Sequence, residues 1–430
     1  MKHFLVLLLS TLFVFNSYAQ QARIDFETNK CLSGSNYLAY PGPEQETLTN
    51  APKGYKPFYI SHYGRHGSRY LINPKDYLTP YFVLSKADSL GKLSDLGKDV
   101  LRRVTLLNNE SSNRYGELTE LGGQQHKQIA KRMYERFPEV FADSASIQAN
   151  STIVIRCILS MSNALQQYVS LNPCLKIKHD ASEHDMYYMN FRDDNLKKQQ
   201  MPDDVKKIYE DYVAKNANYE RVIKSLFNDE AYIKQNVDAK DLNYRLFQLA
   251  SNLQSTEMRK QITLYDIFTT DELYANWKAK NAWWYINYGP SPLNGGKQPY
   301  SQRNLLKKII SQADSCIALE KPGATLRYGH ETMVMPLTCL LGLNGFDKQI
   351  QNFDDLESNG WLNYKIFPMG ANIQFIFYRR NPDDKDVIFK ILLNENEARL
   401  PLETDKYPYY NWEKFKKHYL EKIEDYEENN

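Results

Sequence analysis

The segment that most constrains the fold is residues 57–69. The run Pro57-Phe58-Tyr59-Ile60-Ser61-His62 reads as a strand, and it passes without a break into the turn Tyr63-Gly64-Arg65-His66-Gly67-Ser68-Arg69. An apolar strand that ends in a glycine-flanked polar turn is what an open α/β sheet presents at its carboxyl edge, where such sheets place their ligands. Two further stretches have the same form. Ser151 to Ile155 reads as a short strand that delivers Arg156, and Ala324 to Tyr328 as a strand that delivers Gly329-His330-Glu331. Around them, Gly116 to Gly122 introduces a helix through about Phe137, and a helix runs from Ser160 towards Val169. Leu305, Leu306, Ile309, Ile310, Ala313 and Cys316 mark an amphipathic helix. Val387 to Leu393 and Ala398 to Leu402 read as a late hairpin around Asn394.

From about 180 to 300 the texture changes. Strand-like runs vanish, and Lys, Asp, Asn and Tyr are scattered through helical spacings. Thr269-x-x-Glu272 is a capping box, followed by Leu273, Trp277 and Trp284 at helical intervals. Gly289-Pro290-Ser291-Pro292 and Gly295-Gly296 close the block. The expected architecture is therefore a discontinuous α/β core, residues 20–178 and 301–430, split by a helical insert, residues 179–300. No repeat of 20–50 residues is visible, which excludes solenoids and propellers.

Residues 1–19 read as a secretory signal. Met1-Lys2-His3 supplies the positive start, Phe4 to Phe15 an apolar run, and Ser17-Tyr18-Ala19 a small-x-small cleavage site. The run falls short of the roughly 20 apolar residues a spanning helix needs. The expectation is an exported protein, periplasmic or secreted, with no integral membrane segment. The chain has 430 residues and a formal net charge of +2, which excludes a polybasic nucleic-acid binder. Its five cysteines, Cys31, Cys157, Cys174, Cys316 and Cys339, allow at most two bridges and fit no zinc or haem spacing. Most are expected to be small buried hydrophobes.

The three strand ends together carry a chemistry. Arg65, His66 and Arg69 lie within five residues; two guanidiniums around one imidazole suit a doubly charged oxyanion better than an apolar core. Beside a phosphoryl group the imidazole could be nucleophile, general base or bystander, and the arginines favour its neutral form. Phosphoryl transfer needs cations around the equatorial oxygens, an in-line nucleophile and an acid for the leaving alcohol. Arg65, Arg69, Arg156 and His330 could supply the first, His66 the second and Glu331 the third. Taken singly, each motif has a plainer reading: a basic surface turn for Arg65 to Arg69, a helix N-terminus with a favourable acid for His330-Glu331. His62 reads as a strand-end residue, and His126 and His179 have no partners in sequence. Trp283 and Trp284 fit core packing better than a cleft wall. Arg327 is a weak site candidate, and sequence cannot choose among the basic residues of the insert.

H-Y-G-R-H-G-S-R at 62–69, G-E-L-T-E-L-G at 116–122, R-C-I-L-S at 156–160 and G-H-E at 329–331 together resemble the histidine acid phosphatases. Within them the chain is most similar to the phytate-degrading multiple inositol-polyphosphate phosphatases. P-M-G-A-N-I-Q-F-I-F-Y-R at 368–379 and the late L-L-N-E-N-E-A-R-L-P extend the likeness. The resemblance implies a phosphoglycerate-mutase-like core, a central mostly parallel sheet flanked by helices, with an inserted helical domain. It implies His66 as the nucleophile that becomes phosphorylated, and Arg65, Arg69, Arg156 and His330 as phosphate ligands. Glu331 is the implied proton donor, and neither metal nor cofactor is implied. The expected activity is hydrolysis of inositol hexakisphosphate and lower inositol phosphates by a monomer acting on small molecules. A broad acid phosphatase for sugar phosphates or nucleotides, or a non-catalytic anion binder, are the alternatives. Two departures stand out. The chain reads His330-Glu331-Thr332 where the inositol-polyphosphate members read H-A-E, and Leu71 stands where R-H-G-x-R-x-P members have proline.

Overall fold

The computed structural model describes residues 20–41 and 44–429. The expected signal segment, residues 1–19, lies outside the described residues. The centre is one sheet in the order β3-β2-β4-β1-β5-β6-β7, with β8 beside β6. Its strands are β1 Lys56–Arg65, β2 Ser146–Ser151, β3 Lys176–Ala181, β4 Gly323–Gly329, β5 Asn372–Arg379, β6 Ile388–Leu393, β7 Asn396–Glu397 and β8 Tyr410–Asn411. β3, β2, β4 and β1 run parallel, and β5 enters antiparallel to β1. This is the mostly parallel α/β sheet expected from the sequence.

Alternation along the strands sends side chains to two apolar layers. Tyr59, Ile373, Phe375, Phe377, Phe389 and Ile391 fill one layer, while Ile60, Ile376, Tyr378, Leu326 and Leu392 fill the other. The first layer is closed by helices running Arg303–Ile317, Glu331–Leu340 and Trp412–Glu428; the second by helices Glu120–Arg136 and Ile155–Leu171. Numbered in chain order, the helices that matter here are α1 Lys75–Ser89, α2 Asp95–Ser111, α3 Glu120–Arg136, α4 Ile155–Leu171, α5 Ala239–Leu253, α6 Thr270–Tyr288, α7 Arg303–Ile317, α8 Glu331–Leu340 and α9 Trp412–Glu428. Between β3 and α7 every described element is helical. Leu84 of α1 and Val100 and Val104 of α2 share an apolar cluster with Val222, Leu246 and Leu253. The helical layer over the sheet's carboxyl edge thus draws on 75–111 as well as on the stretch after β3. No described helix is long and apolar enough to cross a membrane.

Several local expectations hold. Thr269 and Glu272 make the reciprocal capping box of α6, and the amphipathic helix at 303–317 buries Leu305, Leu306, Ile309, Ile310 and Ala313. Others are corrected. β2 ends at Ser151 and α4 begins at Ile155, so Arg156 is delivered by a helix N-terminus and not by a strand spanning Ser151 to Ile155. The β-branched run Thr152-Ile153-Val154-Ile155 has strand propensity, but Ser151 is the last residue of β2 to pair with β4. The late hairpin returns only through Asn396–Glu397, after a turn with Asn394 and Glu395 at φ 51 and 67; Ala398 to Leu402 is not a strand. All five cysteines are unbridged, with Cys157 and Cys339 buried and Cys174 exposed.

Candidate active site

β1 and β4 lie side by side in parallel with Arg65 opposite Gly329, so the turn after β1 and His330 leave the sheet at the same edge. The His66 amide donates to the Gly329 carbonyl at 2.8 Å, and the Arg65 amide to Ala371 at 2.7 Å. The rest of the turn is held from outside. Gln125 accepts the Ser68 amide at 2.8 Å, and Ser160 accepts the Gly67 amide at 3.1 Å while donating to the Arg156 carbonyl at 2.8 Å. Asn252 of α5 donates to the Arg69 carbonyl at 2.9 Å. The second motif, G-E-L-T-E-L-G, explains itself here. Thr119 caps α3 and donates its amide to the Ser68 carbonyl at 2.9 Å. Gly67 and Gly122 let two backbones touch: a Cβ on Gly67 would strike the Gly122 carbonyl, and one on Gly122 the Ser68 carbonyl.

On this frame Arg65, His66, Arg69, Arg156, His330 and Glu331 converge. Arg65 is fully buried, and one of its nitrogens donates to the carbonyls of Asn36 at 2.6 Å and Phe367 at 2.9 Å. Its Nε lies 3.0 Å from Glu331 Oε2, which is itself 3.5 Å from His66 Nε2; Arg69 is 3.9 Å from the other Glu331 oxygen. The His66 Nδ1–H donates to the Gly67 carbonyl at 2.8 Å, so the lone pair is on Nε2, facing Glu331 and the cations. His330 stands edge-on to His66, ring centroids 5.8 Å apart, with its Nε2 3.2 Å from Thr152 Oγ1. A terminal nitrogen of Arg65, Arg69 Nε and Arg156 Nε are buried without a hydrogen-bond partner, and these three guanidiniums lie within electrostatic reach of one another and of Glu331. Buried polar groups are ordinarily paired, and guanidinium donors left over beside a single carboxylate fit an oxyanion.

The electrostatics follow. Burial pushes the His66 imidazole well below its usual range; contact with Glu331 works against this, and Arg65 and Arg156 reinforce it. His330 falls to about 4, chiefly through burial. Burial would raise the Glu331 carboxyl, but Arg65, His66 and Arg69 overcome it and hold it well below the ordinary range. The site therefore rests with two neutral imidazoles and an ionised carboxylate. His66, His330 and Glu331 bring ligand-type atoms within 4.8 Å of one another. Three guanidiniums against one carboxylate oppose a divalent cation there and favour an anion.

Other candidates fall outside. His62 is a buried residue of β1, lowered to about 3 by burial and by His126, and packs on Tyr328, as does His126. His179 is on the edge strand β3. Arg327 is fully buried among Ser61 Oγ and the His62 carbonyl, on the sheet and not in the site. Trp284 packs on Phe367 at 4.7 Å, and Trp283 is 36% exposed. Sequence reasoning passed over Gln125, Thr152 and Ser160; only Ser160 lay inside a quoted motif. It also could not pick out Lys280 of α6, or Arg192 and Lys197; the latter two line a cavity of about 300 Å³ with Asp193, Tyr288 and Thr332.

Residues 64–394 match the family model of the histidine phosphatase superfamily (branch 2). No curated protein matches the chain in sequence. The structure superposes on the multiple inositol polyphosphate phosphatase of Bifidobacterium longum, solved with inositol hexasulfate, at a TM-score of 0.76. Identity there is 20%, over 89% of this chain and 96% of that one. The phytase of D. castellii gives 0.66 at 14% identity, covering 92% and 85%. The Hafnia alvei phytase gives 0.51 at 12%, covering 86% and 98%. At these identities the likeness is one of fold.

Proposed function

This chain belongs to branch 2 of the histidine phosphatase superfamily, and from that premise, which makes it a phosphatase, we propose that it hydrolyses inositol hexakisphosphate and lower inositol phosphates through a phosphohistidine. The observation that carries the chemistry is the buried, only partly satisfied guanidiniums of Arg65, Arg69 and Arg156 around a His66 whose Nε2 keeps its lone pair. In this reading the arginines and His330 take the equatorial oxygens of the phosphoryl group. His66 Nε2 attacks phosphorus as the bond to the alcohol oxygen breaks. The substrate's oxygens replace the Glu331 carboxylate at Arg65 and Arg69, and with its cations engaged Glu331 rises in pKa and takes up a proton. It gives that proton to the leaving alkoxide, then accepts one from the water that attacks the phosphohistidine, and inorganic phosphate leaves.

A polyanionic substrate is supported by Arg192 and Lys197 in the cavity beside Thr332. The inositol polyphosphate phosphatase and phytases that share the fold add to this. The helical stretch 179–300 acts as the cap over the cleft, which the reach of Asn252 to the Arg69 carbonyl supports. The protein is exported on the strength of residues 1–19, and N-terminal sequencing of the mature form is expected to begin at Gln20. The test of substrate class is phosphate release from inositol hexakisphosphate, glucose 1-phosphate and p-nitrophenyl phosphate. A kcat/KM highest for the inositol phosphate is expected; equal or higher values for glucose 1-phosphate would make this a broad acid phosphatase.

A further inference from the structure

Lys280 projects from α6 towards the turn of Arg65 to Arg69. Its Nζ lies 4.0 Å from the centroid of the Tyr37 ring, and the Arg69 guanidinium lies 5.6 Å from the same centroid. Tyr37 thus carries two cations at once. Two of the three ammonium protons go to neutral acceptors, Gln248 Oε1 at 3.1 Å and the Gly34 carbonyl at 3.4 Å. Among the described residues no carboxylate makes an ion pair with it, and Asp76, the nearby acid whose charge it feels, is bonded to Arg245 at 2.9 Å. Burial and the like charges of Arg69 and Arg65 depress the ammonium well below the lysine range, while Asp76 and Glu331 act weakly the other way. Lys280 thus adds a fourth basic group to the three guanidiniums near Glu331, one whose charged form a second anion beside it would favour.

We propose that Lys280, carried on Tyr37 and Gln248, binds a second anionic group of the substrate beside the phosphoryl group that reacts. This rests on the reading of the site as one for inositol polyphosphates and assigns one determinant of its specificity. A phosphate ester on the neighbouring carbon would meet the remaining ammonium proton and relieve the repulsion between Lys280 and Arg69. A monophosphate has nothing to place there, so the residue separates polyphosphates from simple esters. The plainer role is a tether: Lys280 would only tie the Gly34 loop to α6.

The experiment compares wild type, Lys280→Met and Lys280→Arg, with inositol hexasulfate and inorganic phosphate as competitive inhibitors of p-nitrophenyl phosphate hydrolysis. One charge-assisted contact corresponds to a loss of about 10–100-fold. The proposal expects Lys280→Met to weaken hexasulfate by that factor more than it weakens phosphate, and Lys280→Arg to recover most of the difference. Parallel losses for both inhibitors, as a tether would give, or equal hexasulfate constants in wild type and Lys280→Met, would overturn it. Wild type binding hexasulfate no better than inorganic sulfate would overturn it as well. Should Lys280→Met fail to fold, Lys280→Gln carries the same comparison. Failure of the substrate reading shows elsewhere, as wild type that cleaves p-nitrophenyl phosphate but releases nothing from inositol hexakisphosphate, and the inhibitor constants still decide the role of Lys280.

Discussion

His66 owes its free lone pair to two separate arrangements: the Gly67 carbonyl takes the Nδ1 proton, and burial among arginines keeps a second proton off Nε2. A lowered imidazole pKa means the nucleophile stays available below pH 6.5. The kcat/KM for p-nitrophenyl phosphate, corrected for the ester's own ionisation, is expected to show no acid limb near 6.5; a limb at that pH would mean an ordinary, solvated histidine. Glu331 is tested by its leaving groups. Glu331→Gln is expected to lose about 10²–10⁴-fold on inositol hexakisphosphate, whose alkoxide needs a proton, and clearly less on p-nitrophenyl phosphate. Equal losses would reduce Glu331 to a cap of α8. Both residues were legible in the sequence because the chemistry sits in short contiguous motifs. What the motif could not show is that Glu331 already lies against Arg65, His66 and Arg69, since those contacts cross more than 260 residues.

Among the elements, the turn after β1 is shaped by its neighbours. Gly67→Ala would force apart the backbones of that turn and of the α3 N-terminus, at a cost of about 1–3 kcal/mol. A fall in denaturation midpoint together with a loss of kcat is expected; an alanine variant as stable and active as wild type would refute the contact. The G-x-x-T-x-x-G pattern was visible as a helix start, but its use as a clamp on Ser68 depends on tertiary approach and leaves no mark in periodicity. β3 was missed for a different reason. Lys176 to Ala181 is an exposed edge strand, polar on both sides, with no alternation to read. β5 has the opposite character: Asn372–Arg379 is buried along its whole length, and its apolar stretch Phe375 to Tyr378 does not declare a period.

For the whole molecule, the buried imidazoles set a pH dependence of stability. His62, His126 and His330 titrate at about 3, 4 and 4 in the folded protein, below the 6.5 of an unfolded chain. Their contribution is intact above pH 6.5 and is lost as pH falls towards 4, where only the unfolded chain takes up protons. Urea midpoints at pH 7 and 4.5 should therefore fall with acid, and a flat profile would show these histidines to be solvated. Activity is expected to survive EDTA, because guanidiniums neutralise the phosphate; a large loss restored by zinc, magnesium or calcium would contradict the site drawn here. The ends of β1 and β4 could be read from sequence, whereas the choice of Lys280 among the basic residues of the helical layer could not, because helical spacing does not tell which face meets Tyr37. The most direct test of the account is covalent. Wild type mixed rapidly with ³²P-labelled substrate and quenched in alkaline denaturant is expected to carry an acid-labile label on the peptide containing His66, and His66→Ala to carry none and to turn nothing over. Turnover by wild type with no labelled enzyme at any quench time, or label that persists in His66→Ala, would contradict it.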